Sequence, residues 1–237
     1  MSKGTKQRTA AKRIVEQQKA ADKRRTVTLW TTVAVVGVLL IAGLIGWGVL
    51  AGQRSDTSNA AVPPGTVDNG TAFAVGDGPV TIDVYEDFMC PICHEFENQS
   101  GATLTQLVNA KKVTVRYHPI AILDDKSNGT KYSTRAAGAV AAAAEEGKFR
   151  QYHQVLFDNQ PTEGSNGLDN AKLIELGKSA GLGDKFAAAV TDGKYSGWAT
   201  NVTAESSKRG VTGTPTVLVN GKRLSNPTPQ AITSAVG

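Results

Sequence analysis

The sequence predicts an α/β domain that follows a single N-terminal transmembrane helix. Three observations lead to this prediction: a long apolar segment near the N-terminus, strands that alternate with helices after residue 72, and two cysteines placed between a strand and a helix. The chain of 237 residues is long enough for one domain and a tail. Its composition, 40% hydrophobic and 20% charged, is that of an ordinary globular protein.

The net charge of +5 is concentrated at the N-terminus. Residues 1–25 contain nine Lys or Arg and two acidic residues, a balance of +7, whereas the remainder contains 17 basic and 19 acidic residues, a balance of −2. The basic excess therefore belongs to a tail, residues 1–26, and gives no indication of a nucleic-acid partner for the folded part.

The segment Val27–Leu50 predicts a transmembrane anchor. No charged residue occurs between Arg25 and Arg54, and as a helix the 24 residues of the segment would span about 36 Å, more than the roughly 30 Å of a bilayer core. The preceding basic residues favour a cytoplasmic N-terminus. We therefore expect a single-pass protein of the cell membrane, in contact with lipid through its anchor. A signal peptide cleaved at Val49-Leu50-Ala51 is the alternative, and both interpretations place the domain outside the cytoplasm.

The folded domain is expected at residues 72–237, after a linker. Ala51–Thr71 is small, polar and proline-containing, as is typical of a linker. Val80–Glu86 alternates apolar and polar residues, which is the period of a strand. The sequence from Pro91 to about Ala110 is compatible with a helix that has proline in its first turn, where no amide donor is lost. A second strand is predicted at Lys112–Tyr117.

The middle of the domain is predicted to be helical, and its end to be a hairpin followed by a helix. The central helices are predicted at Ser133–Glu146, Phe149–Phe157, Asn170–Ala180, Asp184–Thr191 and Tyr195–Arg209. Asn220-Gly221 is a strong hairpin turn between strands at Thr216–Val219 and Lys222–Leu224. Thr228-Pro229 has the cap and first residue of a final helix to Val236.

The motif Cys90-Pro91-Ile92-Cys93 carries the candidate chemistry. A Cys-x-x-Cys that leaves a strand and enters a helix places its first sulfur beside unpaired backbone amides and the positive end of the helix dipole. Both stabilise the thiolate, which is the form that attacks disulfides. The second cysteine lies one helical turn further on, where it can resolve a mixed disulfide. We therefore assign Cys90 as the nucleophile and Cys93 as the resolving thiol, with Pro91, Ile92 and His94 lining the motif.

Three other interpretations of the cysteines compete with the redox pair. A structural disulfide across four residues would constrain the unfolded chain little. A structural zinc site requires four ligands, and the chain offers two Cys and three His without a second closely spaced pair. The run from Cys90 to His94 also matches the complete signature of c-type haem attachment. The redox pair is favoured, and we expect neither a metal nor a cofactor.

The run Gly213-Thr214-Pro215-Thr216 is the second candidate element. Taken alone it is a weak signal, since only about 5–6% of X–Pro bonds in folded proteins are cis. Together with the upstream Cys-x-x-Cys and this order of strands and helices, it predicts a cis bond that turns the Thr214 backbone toward the sulfurs. A substrate would then pair with Thr214 and Pro215 as a short added strand.

The sequence resembles the DsbA-like branch of the thioredoxin superfamily, in particular the membrane-anchored proteins of Gram-positive and actinobacterial species. The matching stretches are VYEDFMCPICHEFE, KFRQYHQVLFDNQ and GVTGTPTVLVNGK, all within residues 80–222. The resemblance implies a thioredoxin-like fold with a helical insertion at about residues 125–209. It also implies oxidation of exported proteins that carry thiols, and reoxidation by a quinone-linked membrane partner.

The sequence departs from the family pattern around the motif. Relatives often carry a buried acid six residues before the first cysteine, and this chain has Val84 there. Glu86 and Asp87 are near, but strand alternation places at most one of them on the same face, and both are interpreted equally well as solvated acids. Pro91-Ile92 lacks the His that stabilises the thiolate in the DsbA prototype. We therefore expect the Cys90–Cys93 couple to be less oxidising than DsbA, whose reduction potential is about −120 mV.

The last predictions concern His94, His153 and the function of the protein. His94 is interpreted as a helix-surface residue and His153 as a packed one. The leading hypothesis is an oxidase that donates its disulfide to exported proteins, and a reductase for one exported client is the alternative with the same chemistry. From other classes, we consider a c-type haem protein held through Cys90, Cys93 and His94, and a redox-silent binding module.

Overall fold

The computed structural model of this protein describes residues 60–237. The predicted basic tail (1–26), the predicted transmembrane helix (27–50) and the first part of the predicted linker lie outside the described residues. Within residues 60–237, no helix is both long enough and apolar enough to cross a membrane.

The described residues form strands and helices in the predicted alternation. The strands are β1 (Thr66–Val67), β2 (Ala72–Val75), β3 (Val80–Glu86), β4 (Val113–Pro119), β5 (Thr216–Val219) and β6 (Lys222–Arg223). The helices are α1 (Pro91–Asn109), α2 (Tyr132–Glu145), α3 (Phe149–Asp158), α4 (Asn170–Ser179), α5 (Asp184–Thr191), α6 (Ser196–Lys208) and α7 (Pro229–Val236). A 3-10 turn, Asp124–Ser127, precedes α2.

The strands form one mixed sheet in the order β1-β2-β4-β3-β5-β6. β3 and β4 are parallel, and α1 makes the crossover that parallel neighbours require. The other neighbouring strands are antiparallel. Within this sheet Tyr85 of β3 pairs with Thr216 of β5. The loop that ends at Thr216 therefore lies beside the residues that follow β3.

Helices α2–α6 are inserted between β4 and β5, and α2 is the centre of the insertion. Ten of its 14 residues are buried, and it packs against α3, α5 and α6. Its small alanine side chains let these neighbours approach closely. The insertion shares one core with the sheet, since the ring of Phe73 lies 4.7 Å from that of Phe149 and 5.3 Å from that of Trp198.

The α/β fold class and the helical insertion are confirmed, but the N-terminal edge of the sheet corrects the prediction. β1 lies inside the predicted linker Ala51–Thr71, and β2 was not predicted, so the domain begins before residue 72. Strands of two and four residues are too short to show a period, and tertiary contacts hold them instead. The indole N–H of Trp198 donates to the Gly70 carbonyl (2.6 Å), and Arg209 forms an ion pair with Asp68.

Candidate active site

Cys90 lies in the turn between β3 and α1. The turn is closed by the N–H of Cys90, which donates to the carbonyl of Asp87 (2.9 Å). Pro91 is the first residue of α1, where its missing N–H costs no helical hydrogen bond. Both cysteines are free thiols, with Cys90 6% exposed and Cys93 1% exposed. At the N-terminus of α1, the first sulfur is therefore the more accessible of the two, and the second is fully buried in the core.

The surroundings of Cys90 stabilise its thiolate. A hydrogen bond from the Cys93 thiol is the largest cause that lowers the pKa of Cys90 to about 6, and partial burial opposes it. The Thr214 side chain and the backbone N–H groups of Cys93 and Ile92 contribute further hydrogen bonds. In its thiol form, Cys90 can instead donate to the Thr214 carbonyl, which lies 3.4 Å from Sγ. The reactive thiolate is thus the main form at neutral pH.

Cys93 is stabilised in the opposite form. Burial is the largest cause that raises the pKa of Cys93 well above its usual value, and the adjacent Cys90 raises it further. A protonated Cys93 is also the better hydrogen-bond donor to the Cys90 thiolate. The two thiols thus differ as the roles of attacking and resolving cysteine require.

The loop before β5 faces Cys90 and opens into a groove. The Thr214-Pro215 peptide bond is cis, as predicted. A cavity of about 380 Å³ extends from this loop along α1, and its lining includes Ile92, Phe96, Gln99, Thr214, Pro215 and Pro227. Ile92 is 58% exposed and lies at this cavity, so it offers an apolar side chain at the rim. The structure thus brings Ile92, Thr214 and Pro215 together beside Cys90, and His94 lies half-buried on α1.

The two acids before the motif are both buried, which corrects their interpretation as solvated residues. Glu86 is 1% exposed and Asp87 is 0% exposed. Glu86 continues the strand alternation of Val84 into the core. Asp87 lies beyond the last residue of β3, where the chain has turned, so strand alternation no longer applies to it. The burial of Asp87 could have been predicted from its position just before a tight turn, because an acid there accepts hydrogen bonds from the backbone amides of the turn.

Glu86 joins the sheet to the helical insertion. Its Oε1 lies 2.6 Å from Nε2 of His153 on α3, and both side chains are buried. Burial raises the pKa of Glu86 to about 8 and lowers the pKa of His153 to about 4. At neutral pH the acid is therefore protonated and donates to a neutral imidazole. His153 is packed, as predicted, but it also holds this hydrogen bond.

Glu97 and Arg150 extend this cluster. Glu97 follows Cys93 by four residues on α1, and both of its carboxyl oxygens are buried without a hydrogen-bond partner. Burial raises the pKa of Glu97, and Arg150, whose guanidinium lies over the Tyr117 ring (4.9 Å), opposes the rise. Glu86, Glu97 and His153 each offer a metal-ligand atom, all within 4.8 Å of one another. Arg150 already supplies a cation, and a divalent ion would add further buried charge, so we interpret the cluster as one that shares protons.

Gln160 is a site residue that the sequence did not indicate. It lies in the loop after α3, and its side-chain amide donates to the carbonyls of Cys90 (2.9 Å) and Phe88 (3.2 Å). These two bonds hold the active-site turn against the helical insertion. A glutamine in a loop has no local pattern that would predict such a contact.

The c-type haem interpretation does not fit this arrangement. Haem attachment bonds both cysteine sulfurs to the macrocycle. Cys93 is 1% exposed and lies in the hydrophobic core. Its sulfur could bond to a haem only if the side chains that cover it moved away.

A family comparison agrees with the geometry. A protein-family model described as Thioredoxin matches residues 68–237. The chain belongs to the thioredoxin family. The match begins at the turn between β1 and β2, just after the first strand of the sheet. The thioredoxin core and its helical insertion are therefore included in the match.

Solved structures narrow the resemblance within the thioredoxin family. The reduced form of the disulfide bond oxidoreductase DsbG from Mycobacterium tuberculosis is 37% identical, with a TM-score of 0.63 over 70% of this chain and 86% of that one. DsbA from the same organism is 36% identical, with a TM-score of 0.62 over 70% of this chain and 90% of that one. MdbA from Corynebacterium diphtheriae, at 21% identity, shares the fold, with a TM-score of 0.62 over 77% of this chain and 99% of that one. These matches confirm the DsbA-like resemblance and support the predicted enzyme class, protein thiol–disulfide oxidoreductase.

Two curated relatives are much longer than this thioredoxin-family chain. The serine/threonine-protein kinase PknE of Mycobacterium tuberculosis is 29% identical over 167 residues, 66% of this chain and 30% of that protein. The Na(+)/H(+) antiporter NhaA 3 of Salinispora tropica is 30% identical over 152 residues, 64% of this chain and 22% of that protein. The chain thus spans less than a third of the length of these relatives.

The Cys90 thiolate gives the first prediction. In the reduced full-length protein we expect the alkylation rate of Cys90 to rise with pH around a midpoint of about 6. Cys93→Ala removes the principal hydrogen-bond donor and should move the midpoint up by about one pH unit or more. Cys93→Ser keeps a donor and should move it less. A wild-type midpoint near 9, or no shift in Cys93→Ala, would contradict this account of the thiolate.

Glu86 gives a prediction about stability in the disulfide form. Folded Glu86 keeps its proton up to its pKa of about 8, whereas the unfolded chain loses it near 4.5. The folded state binds more protons in this window, so stability falls as pH rises. His153 acts with the opposite sign between a pKa of about 4 and the usual 6.5, so Glu86 acts without this opposition from 6.5 to 8. Buried Glu97, whose pKa is also raised by burial, acts with the same sign as Glu86.

The measurement is urea unfolding of the oxidised full-length protein at several pH values from 6.5 to 8. Wild type should lose stability on the order of 1 kcal/mol per pH unit, and Glu86→Gln should lose clearly less. Glu95→Gln is the matched control, because Glu95 is an exposed acid on α1 and its loss should leave the wild-type slope unchanged. Equal slopes in wild type and Glu86→Gln would show that Glu86 is ionised in the folded protein.

Proposed function

We propose that this chain is an extracytoplasmic thiol–disulfide oxidoreductase that donates its Cys90–Cys93 disulfide to exported proteins. The observation that supports this most directly is the difference between its two thiols. Cys90 has a pKa of about 6, whereas burial raises the pKa of Cys93 well above its usual value. A stabilised thiolate favours the reduced form of the couple, and this makes the disulfide form an oxidant.

The order of the steps follows from the accessibility of the two sulfurs, because a substrate can reach Cys90 more easily than the fully buried Cys93. A substrate thiolate attacks Cys90, the S–S bond breaks, and Cys93 leaves and takes up a proton. A second substrate thiolate then attacks the substrate sulfur of the mixed disulfide, and Cys90 is released as a thiolate. The substrate gains a disulfide and loses two electrons, which the two cysteines now hold. Cys90 is a good leaving group in the second step because its pKa is low.

The groove beside Cys90 provides the substrate contact. The backbone of Thr214 lies next to the Cys90 sulfur, and an extended peptide that pairs with it would bring its own cysteine in line. Ile92 offers an exposed apolar contact at the rim of the groove. Backbone pairing with few side-chain requirements suits a substrate class of many unfolded proteins.

The direction of electron flow rests on the strength of the thiolate. A pKa of about 6 for Cys90 lies between that of the attacking cysteine in a reducing thioredoxin, about 7, and that in the strongly oxidising DsbA prototype, about 3.5. We therefore expect a potential between about −270 and −120 mV. A reductase for one exported client is the second candidate, and a value at the lower end of this range would favour it.

The compartment and the partners follow from the sequence. The apolar segment Val27–Leu50 and its basic flank favour an anchor with the domain outside the cytoplasm. An oxidase must pass two electrons on after each cycle, and a membrane anchor holds it close to a quinone-linked reoxidase. The other proposed partners are lipid, through the anchor, and exported proteins with thiols.

A redox titration of the purified full-length protein in detergent tests the function. We expect a reversible two-electron couple in glutathione buffers, with a potential above about −270 mV and below about −120 mV, and disulfide formation in a reduced, unfolded test protein. Cys90→Ser should abolish both. Cys93→Ser, mixed with a substrate protein that already contains a disulfide, should keep the mixed disulfide that forms when the Cys90 thiolate attacks that disulfide. Asn98→Ala is the matched control, because Asn98 is an exposed residue of α1 and its replacement leaves the motif and both thiols in place.

Each outcome of the titration decides between the candidates. A potential near or below about −270 mV would make the protein a reductase that awaits an electron donor. Full biological activity of Cys90→Ser would point to a redox-silent binding module. Either result would overturn the proposed oxidase.

Membrane fractionation tests the proposed location. With a tag at each end, the full-length protein should stay in the membrane after carbonate extraction. External protease on spheroplasts should then remove the C-terminal tag and leave the N-terminal one. Leu40→Arg places a charge in the apolar segment, at a cost of about 3 kcal/mol, and should reduce insertion. Release of a shortened soluble domain would instead show a cleaved signal peptide.

A further inference from the structure

The cavity beside Cys90 contains one charged side chain that the exchange chemistry does not use. Glu95 of α1 lines this cavity and is exposed. Its Oε1 accepts a hydrogen bond from Nε2 of Gln99 (2.8 Å), one helical turn further on. Of the described residues that line the cavity, none is Lys, Arg or His. Within residues 60–237, no cation forms an ion pair with Glu95. The cavity therefore offers a negative charge that has no positive partner in this part of the chain.

The cavity is built from two elements that a hydrogen bond holds together. One wall is a face of α1, whose side chains recur at intervals of three and four residues and so point the same way: Ile92, Glu95, Phe96 and Gln99. The loop Ser225–Thr228 forms another wall. The Ser100 hydroxyl of α1 donates to the carbonyl of Pro227 in this loop (3.2 Å). The two walls are thus joined before any substrate binds.

The cavity combines apolar surface with the single acid. Phe96 is 6% exposed, and Ile92, Pro215 and Pro227 add further apolar groups to the lining. Lys and Arg side chains match this combination, because their methylene stems pack on apolar surface while the cationic head remains at a polar site. An acidic side chain in the same place would bring two like charges together. The lining is therefore complementary to a basic side chain.

The distance from the reactive sulfur determines which substrate residue reaches Glu95. Five residues of helix separate Cys90 from Glu95, or about 7.5 Å along α1. In an extended peptide, side chains two positions apart lie on the same side and about 6.7 Å from each other. The Thr214 carbonyl, 3.4 Å from Sγ of Cys90, belongs to the backbone with which such a peptide would pair. A substrate that extends along α1 thus brings the residue two positions from its cysteine level with Glu95.

We infer that Glu95 is a specificity-determining residue, which favours substrate proteins that carry a Lys or Arg two positions from the reacting cysteine. The inference rests on the proposed function, because it concerns the substrate of the same disulfide exchange. In that step the substrate thiolate bonds to Sγ of Cys90, the Cys90–Cys93 bond breaks, and Cys93 takes up a proton. Glu95 exchanges no bond and only holds the basic side chain. Since exposed ion pairs are weak, it gives a preference of a few-fold rather than a requirement.

The test compares three peptides with the oxidised, full-length protein in a non-ionic detergent. Each peptide is capped at both termini and has a central cysteine, an alanine on either side, and the same test residue at both ends. The test residue is lysine, glutamate or norleucine, which has an apolar stem similar to that of lysine without the ammonium group. Because both ends are the same, the result does not depend on the direction in which the peptide binds.

The measured quantity is the second-order rate constant for the mixed disulfide, from acid-quenched samples analysed by mass spectrometry. Each value is divided by the rate of the same peptide with hydroxyethyl disulfide, a small neutral compound, which removes differences in thiol reactivity. Wild type should react about threefold faster with the lysine peptide than with the norleucine peptide, and slowest with the glutamate peptide. Equal corrected rates would overturn the inference, and this comparison does not depend on a variant that folds.

Three variants assign the preference to Glu95. Glu95→Gln should remove the advantage of the lysine peptide, and Glu95→Lys should make the glutamate peptide the faster one. Asp192→Asn is the matched control, because it removes the same charge from an exposed residue at the end of α5, outside the cavity lining. It should keep the full advantage. A preference that persists in Glu95→Gln, or that Asp192→Asn loses to the same extent, would contradict a role of Glu95.

The inference and the proposed function can fail separately. A protein with a potential above about −270 mV that oxidises its substrates and reacts equally with the three peptides would disprove the inference alone. A protein with a potential near or below this value that still prefers the lysine peptide would disprove the proposed oxidase alone.

Discussion

The constraint on which the rest of this structure depends is that a negatively charged sulfur must be stable in an almost closed pocket. Cys90 is 6% exposed, and a buried anion without hydrogen-bond donors would cost several kcal/mol. Its donors come from two parts of the chain, the first turn of α1 and the loop before β5. The central place of β3, with β4 on one side and β5 on the other, brings these parts together. The strand order therefore contributes to the stability of the Cys90 thiolate.

A second polar cluster, formed by Glu86, Glu97, Arg150 and His153, determines how the helical insertion is positioned on the sheet. Apolar contacts such as that between Phe73 and Phe149 hold the two parts together, but they allow many relative positions. The hydrogen bond between Glu86 and His153 requires one specific position of α3 relative to β3. The cluster is not fully satisfied, since Glu97 and one nitrogen of Arg150 are buried without partners. Such groups cost stability, and natural proteins retain them mainly where function requires them.

Sequence reasoning reached those parts of the fold that local pattern determines. The alternation of Val80–Glu86, the Asn220-Gly221 turn and the Thr228-Pro229 helix start are all present in the structure. The cis bond at Pro215 could be predicted because the run Gly213–Thr216, which is a weak signal alone, occurs together with the Cys-x-x-Cys motif. Burial of Glu86 and Asp87 was missed because their partners, His153 and Ser133, are far away in sequence and only the tertiary fold brings them close. β1 and β2 were missed for the same reason, since contacts with α6 rather than a period hold them in place.

The amide of Gln160 shows which other part of the chain holds this redox centre in place. Gln160 is 70 residues from Cys90 in sequence, yet it is bonded to the carbonyl of Cys90, the residue from which α1 starts. The position of the motif is therefore partly encoded in a loop of the insertion. The four-residue motif is thus an incomplete description of this turn, because one of the side chains that hold it in place comes from a distant part of the chain.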